Sequence, residues 1–304
     1  MSESSLDQWR AVFDIEITFS NGGGLSAEGF RVDVPTEQVD DATVANLFVR
    51  QLGLTMVGGA DVANLRVIRE AHKNPASTPK APGTRRRTVE LSHPIRDGLI
   101  TYPGLPAPHI EDHLSWAASH ASYGPGTEFQ IGRIEMVANT GTYLDTPAHR
   151  HRDGADLSGV GLDRLADLPG LLVRVTGAAA RAIDAAAFAP FDLAGRAVLV
   201  ETGWSGHFGT EAYGTGHPYL TAAAADFLVQ QGAVLVGIDS LNIDDTADLA
   251  RPAHTALLSA GIPIVEHLRG LDQLPVDGFR FTAAPPLIEG MGTFPVRAFA
   301  TIDE

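Results

Sequence analysis

The 304-residue chain contains no cysteine, which removes disulfides and thiolate metal sites and leaves nitrogen and oxygen as the only donors for a metal. That donor set suits Zn, Mn, Fe or Mg. No run of about 18 uninterrupted apolar residues occurs, so no membrane-spanning helix is expected. The opening MSESSLDQWR lacks the apolar stretch of a secretory signal, and a cytoplasmic location is the expectation. Positive charge is scarce: 22 Lys and Arg against 37 Asp and Glu give a net −15. This disfavours nucleic acid and anionic membrane as partners and leaves a small molecule as the expected one. What the chain does have is 44% hydrophobic residues, enough to build one large core or two.

Trp9 to Thr18 (WRAVFDIEIT) and Glu28 to Val34 (EGFRVDV) alternate apolar and polar around the turn Asn21-Gly22-Gly23-Gly24, which predicts a hairpin. From Asp40 to Leu54, Val44, Leu47, Phe48 and Leu52 fall at helical spacing behind an acidic start and before Gly53. TMVGGADVANLRVI then supplies one or two more strands. These segments make a small α+β unit, taken as 1–77 with the start of a linker. Lys73 to Arg87 (KNPASTPKAPGTRRR) has three prolines, no large apolar residue and a run of positive charge, the composition of a solvated linker.

A second domain is expected over 88–304. Gly170 to Val175, Ala197 to Glu201 and Ala233 to Ile238 are short apolar runs that read as buried strands. Leu220 to Gln231 reads as a helix, and Ala253 to Ser259 as a helical turn or two before the strand Ile262 to Val265. Val296 to Ile302 reads as the last strand. Alternating strands and helices imply an α/β domain.

The chemistry concentrates in ANTGTYLDTPAHRHRDG, residues Ala138 to Gly154. Asn139, Tyr143, Asp145 and His149 fall on alternate positions, the spacing by which a strand and the turn after it converge on one site. Asn offers a neutral carbonyl oxygen and Tyr a proton with a pKa near 10, so both are poor metal ligands. Further on, His254 opens a helical turn and Glu266 ends the strand that returns from it. Asp145, His254 and Glu266 would make a nitrogen and oxygen triad for one divalent metal. Taken alone, that pairing has a plainer reading: His254 caps a helix and Glu266 pairs with Arg269. His151, between Arg150 and Arg152, reads as a solvent-facing loop residue. Trp204 and Phe129 suit either an aromatic pocket or a core, and His93 either the pocket or a structural hydrogen bond. Asp239 and Asp244 end a buried strand, where they would cap a loop or support a ligand.

From about Leu91 onward the chain resembles the cyclase family of metal-dependent hydrolases, which includes bacterial kynurenine formamidase and isatin hydrolase. The resemblance runs in order through LSHPIRDGLITYPGLP (Leu91 to Pro106), the Ala138 to Gly154 loop and VLVETGW (Val198 to Trp204). It continues through HPYL (His217 to Leu220), LVGIDSLNID (Leu235 to Asp244), His254 to Asp272, and APPLIEGMGTFPVRAFA near the end. The family motif His-x-Gly-Thr-His-x-Asp-x-Pro-x-His is matched by Asn139, Gly141, Thr142, Tyr143, Asp145, Pro147 and His149, so the frame is kept and two histidines are replaced. The resemblance implies a swivelling β/β/α fold, with the small N-terminal α+β unit outside it, and a homodimer or homotetramer. It implies Asp145, His254 and Glu266 as retained ligands and His149 as the retained proton-transfer residue.

Three functions follow as expectations. The first is an arylformamidase-like hydrolase of an amide, cyclic amide or lactone, with one Zn or Mn or no metal and His149 as acid and base. The second is a metal-independent cyclase or dehydratase of specialised metabolism, in which His149 moves protons while Tyr143 and Asn139 donate hydrogen bonds to a carbonyl. The third is a non-catalytic binding protein.

Overall fold

A computed structural model describes residues 7–71, 86–178 and 180–303. Packing divides the chain into two units: one takes residues up to Arg86 with Ala185–Leu193 and Asp303, the other Arg87–Asp184 with Ala194–Ile302.

In the first unit, β1 (Asp7–Phe19), β2 (Gly24–Val34) and β3 (Val57–Ala71) form an antiparallel sheet in the order β2-β1-β3, with α1 (Asp41–Leu52) between the last two strands. Alternation in β1 buries Ala11, Phe13, Ile15 and Ile17, and α1 turns Val44, Ala45 and Phe48 towards the same core. Phe13, Phe30 and Phe48 meet edge to face with centroids 4.7–6.0 Å apart. Asp40 lies outside the helix as its cap, its carboxylate accepting from the Thr43 amide, and Gly53 ends it at φ 67°. The stretch expected to give one or two strands is one 15-residue strand. Most of the expected linker, residues 72–85, lies outside the described residues. Its last two arginines are not linker, because Arg86 and Arg87 begin a strand.

The second unit opens within β4 (Arg86–Glu90), followed by a hairpin of β5 (His109–Leu114) and β6 (Ile131–Glu135) with α2 (Trp116–Ser122) between them. Then come β7 (Tyr143–Asp145), β8 (Leu168–Arg174), β9 (Ala182–Ile183), β10 (Ala197–Glu201), β11 (Tyr219–Leu220) and α3 (Ala222–Gln230). The chain continues through β12 (Leu235–Ile238), α4 (Pro252–Ser259), β13 (Ile264–Glu266), β14 (Phe279–Thr282), β15 (Thr293–Pro295) and β16 (Phe299–Asp303). The nine-stranded sheet runs β15-β7-β13-β12-β10-β8-β14-β16-β4. Its centre, β8, β10, β12 and β13, is parallel. Every residue of β10 and β12 is buried, which is why AVLVE and LVGI are continuous rather than alternating runs. α3 and α4 pack on each other, and Thr221 caps the first, so Leu220 falls in β11 instead of the helix.

The expected final strand, Val296 to Ile302, begins only at Phe299, as β16, and residues 296–298 instead link it to β15. β15 pairs with β7 near one end of the sheet and β16 with β14 near the other. Seven strand spacings would separate them by about 34 Å in a flat sheet, whereas residues 296–298 reach only about 14 Å. The sheet therefore curls on itself. The Val296 amide bonds the Thr142 carbonyl, and the Leu91 amide bonds the Ala298 carbonyl, which joins the two ends. Leu91, Leu144, Leu172, Leu199, Val265, Phe281 and Ala298 are part of the resulting core. The hairpin of β5 and β6 has no counterpart in the sequence reading and is exposed along nearly its whole length. Among the described residues no helix is long and apolar enough to cross a membrane.

Candidate functional site

β7 and β13 lie antiparallel at one end of the curled sheet, with Glu266 opposite Tyr143 and Ile264 opposite Asp145. In this register Asp145 and Glu266, the last residues of two antiparallel strands, lie two positions apart along the ladder, and Tyr143 stands directly across from Glu266. Before β7, Gly141 makes the turn at φ 68°, where an added Cβ would stand 3.0 Å from the Ile95 side chain. After it, Pro147 starts a single 3-10 turn that ends on His149. His254 comes from the first turn of α4, behind Pro252.

These elements converge. Asp145, His149 and His254 each place one ligand atom within 4.8 Å of the other two, the arrangement of a site that could hold a metal ion. His254 Nε2 lies 3.7 Å from Asp145 Oδ2 and 3.7 Å from Glu266 Oε1. That exceeds a hydrogen bond, but approaches the separation of about 3.4 Å between tetrahedral ligands 2.0–2.2 Å from one ion. Asp145 Oδ2 is buried without a hydrogen-bond partner among the described residues. An orphaned carboxylate oxygen facing an imidazole nitrogen is what a cation between them would satisfy. The chain therefore has the donors for a divalent metal, with Asp145 and His254 common to the expected triad and to the observed cluster.

Asp244 holds His254 from behind. Its Oδ2 lies 2.6 Å from His254 Nδ1, while its carboxylate also accepts from the Ala253 and His254 amides. Of the two roles open to Asp244 in the sequence, support of a ligand is the one its contacts fill. Asp239 takes the other, accepting from the Thr202 amide and hydroxyl and from the Gly203 amide. The plainer reading of His254 and Glu266 fails: Asp244 caps α4, and Glu266 accepts from Tyr143 and the Ile243 amide, both at 2.7 Å.

Charge in this pocket is strongly coupled. Burial disfavours a charged His254, but Asp145, Asp244 and Glu266 around it prevail and raise its pKa to about 10. Burial also pushes up both carboxylates. At Asp145 the two histidines and Thr293 outweigh it, and the pKa falls below the ordinary value. At Glu266 burial prevails despite His254, and the pKa rises to about 7. Two neighbouring carboxylates are thus driven apart, the pattern that divides acid and base roles in active sites.

Tyr143 is buried, and its hydroxyl donates to Glu266 Oε2. Burial, then Glu266 and Asp145, raise its pKa well above 10, with the Asn139 side chain acting in the opposite sense, so Tyr143 is a neutral phenol. Behind it stands His267, fully buried and in the left-handed region at φ 57°. His267 Nε2 is 3.2 Å from the Tyr143 hydroxyl and Nδ1 is 2.8 Å from that of Tyr213. Burial and the nearby His93 lower its pKa to about 3, so the ring is neutral. With the Tyr143 proton on Glu266, the hydrogen bonds run one way, from Tyr213 to His267 to Tyr143 to Glu266.

His149 is the open member of the site, with a side chain 34% exposed. The remaining residues singled out in the sequence lie elsewhere. His151 is a partly exposed loop residue, and its Nε2 is 3.0 Å from the Ser259 hydroxyl. Trp204 bonds the Tyr213 carbonyl, and Phe129 packs edge to face on Tyr123. His93 stacks on Phe208 at 3.6 Å and borders a cavity of about 640 Å³ with Ile95, Met136 and Phe294. Sequence reasoning missed Thr293, Tyr213 and His267. Only the last has a local signal, a histidine beside Glu266 at a strand end.

The Cyclase family model matches residues 89–245. Kynurenine formamidase of Bacillus cereus is 27% identical over 217 residues, covering 69% of this chain and 95% of the relative. The enzyme of the same name from Bacillus cytotoxicus is 27% identical over 219 residues, with the same coverage. Among solved structures, a potential metal-dependent hydrolase with cyclase activity superposes with a TM-score of 0.59 at 26% identity, covering 72% of this chain and all of its own. Isatin hydrolase A from Ralstonia solanacearum superposes at 0.61 and 23% identity, covering 72% and 92%. The α/β fold of the second unit is the fold of these proteins.

Proposed function

This chain belongs to the cyclase family, and from that premise we propose that it is a C–N bond hydrolase acting on an amide or cyclic amide in the manner of an arylformamidase, with a lactone as the oxygen counterpart. The observation that carries the reading is the orphaned Asp145 Oδ2 facing His254 Nε2, with Glu266 Oε1 equally close to that nitrogen and the accessible His149 alongside. The relatives named for kynurenine formamidase and isatin hydrolase support the substrate class.

Asp145 and His254, with Glu266 as third ligand, would hold one divalent ion, Zn or Mn. Such an ion supplies Lewis acidity to the scissile carbonyl and a lowered pKa to water. The chain's own groups do the rest. His149 takes a proton from the attacking water as the new C–O bond forms. It returns that proton to the leaving nitrogen as the C–N bond breaks, giving an amine and a carboxylic acid. Asp244 orients His254. Tyr143 neutralises part of the Glu266 charge, and its proton is thereby committed.

A metal-free working state is the second reading. It is favoured by the place of His254 Nε2, 3.7 Å from both Asp145 Oδ2 and Glu266 Oε1, where an imidazolium would offset the two carboxylates it faces. The test is to strip the untagged protein of metal, reload it with Zn or Mn, and follow formate release from N-formylaniline. One equivalent bound together with metal-dependent hydrolysis supports the first reading. Turnover that survives stripping supports the second, and neither binding nor turnover sinks both.

A further inference from the structure

Asp145 has two oxygens with different surroundings. Oδ2 is the orphan described above, whereas Oδ1 accepts a hydrogen bond from the hydroxyl of Thr293, which stands directly opposite Asp145 in the β7–β15 ladder. The same hydroxyl lies 2.7 Å from His149 Nδ1, while the direct path from Nδ1 to Asp145 Oδ1 is 3.4 Å. The hydroxyl is therefore the partner within hydrogen-bond reach of the ring.

The direction of these bonds follows from proton counting. A carboxylate only accepts, and a hydroxyl carries one proton. With that proton on Asp145, Thr293 Oγ1 can meet His149 only as an acceptor, so Nδ1 carries the N–H and Nε2 keeps its lone pair. We propose that Thr293 is a positioning residue that locks His149 in the Nδ1–H tautomer and couples it to Asp145, leaving Nε2 as the nitrogen that takes up and returns the proton.

Backbone packing fixes the distance. The Thr146 amide and hydroxyl both bond the Gly292 carbonyl, at 2.7 and 3.0 Å. A Cβ at Gly292 would stand 2.3 Å from the His149 backbone nitrogen, so glycine lets β15 press against the turn that carries His149. The assignment also separates two sets of candidate ligands. A protonated Nδ1 cannot coordinate a metal, so Asp145 Oδ2 and His254 take Glu266, and not His149 Nδ1, as their companion. The inference rests on the reading of His149 as the proton carrier.

The test uses the intact chain, metal-stripped and Zn-loaded, with ¹⁵N-labelled histidine at pH 8. His149→Gln assigns the resonances, and Thr293→Val and Thr293→Ser perturb the link. The wild type is expected to show His149 with Nδ1 protonated and Nε2 bare. Thr293→Val shifts the ring towards the Nε2–H form and leaves Zn stoichiometry unchanged, while Thr293→Ser restores the wild-type pattern. With N-formylaniline, Thr293→Val lowers kcat roughly ten- to a hundred-fold at nearly constant KM, and Ser recovers most of it. A wild-type ring already in the Nε2–H form overturns the proposal even if Thr293→Val fails to fold. So does a tautomer indifferent to Val, or loss of Zn together with the tautomer. If the ring behaves as expected but wild type hydrolyses nothing, it is the proposed function that fails and the positioning role that stands.

Discussion

The Tyr143 hydroxyl sits 2.7 Å from Glu266 Oε2 and gives it its only proton. A residue that sequence alone offers as a hydrogen-bond donor to substrate has its donor occupied by a buried carboxylate. Tyr143→Phe would leave both Glu266 and the His267 N–H short of a buried partner. The expected cost is about 1–3 kcal/mol in urea unfolding of the metal-free protein. A change under ~0.5 kcal/mol would show that the chain from Tyr213 to Glu266 contributes little to the fold.

His267 supplies a pH dependence whose sign is fixed. Its folded pKa, about 3, lies below the ordinary value of 6.5, so the unfolded chain takes up a proton in that interval and the folded chain does not. Stability from this group is complete above pH 6.5 and falls as the pH drops towards 3, by up to ~1.4 kcal/mol per unit. His267→Gln should flatten that part of the profile. An unchanged slope between pH 6 and 4 would assign the acid sensitivity to other groups.

Asp244 should matter to the metal without touching it. Asp244→Asn removes the charge behind His254 while keeping an oxygen within reach of Nδ1. Zn affinity, measured by competition with a chelating dye, is expected to fall about 10- to 100-fold. Because an ion must displace the proton that His254 holds up to about pH 10 in the metal-free site, wild-type affinity should rise with pH across the neutral range. A pH-independent affinity would remove His254 from the ligand set.

The exposed hairpin should be an interface between copies of this chain. Ile110, Ile131 and Ile134 are 41–49% exposed on β5 and β6, with Trp116 at 52% on α2. Two strands exposed on both faces are marginal in water, and an apolar patch of this kind marks an association surface. Wild type is expected to sediment as a dimer or tetramer, and the triple Ile→Ser variant as a monomer. A monomeric wild type at micromolar concentration would rule out the expected assembly.

Sequence by itself determined the elements that obey local rules. β10 coincides with the continuous apolar run AVLVE, because a parallel strand buried on both faces has no need to alternate. α1 ends where Asp40 and Gly53 say it should, since capping is decided within a few residues. Asp145, His149 and His254 were legible through the resemblance to the cyclase family, since spacing alone left His254 with a plainer reading. Tertiary structure alone decided the rest. The run read as one final strand forms a strand only from Phe299, because residues 296–298 bridge β15 and β16 where the curled sheet brings its two ends together. Thr293 and Tyr213 become visible only when strands and loops far apart in the chain set their side chains against Asp145 and His267, and the local signal of His267 beside Glu266 gains its meaning from Tyr143. A hydroxyl or imidazole acquires its role from the partner it faces, and that partner is chosen by register and curvature, which no short stretch of sequence encodes.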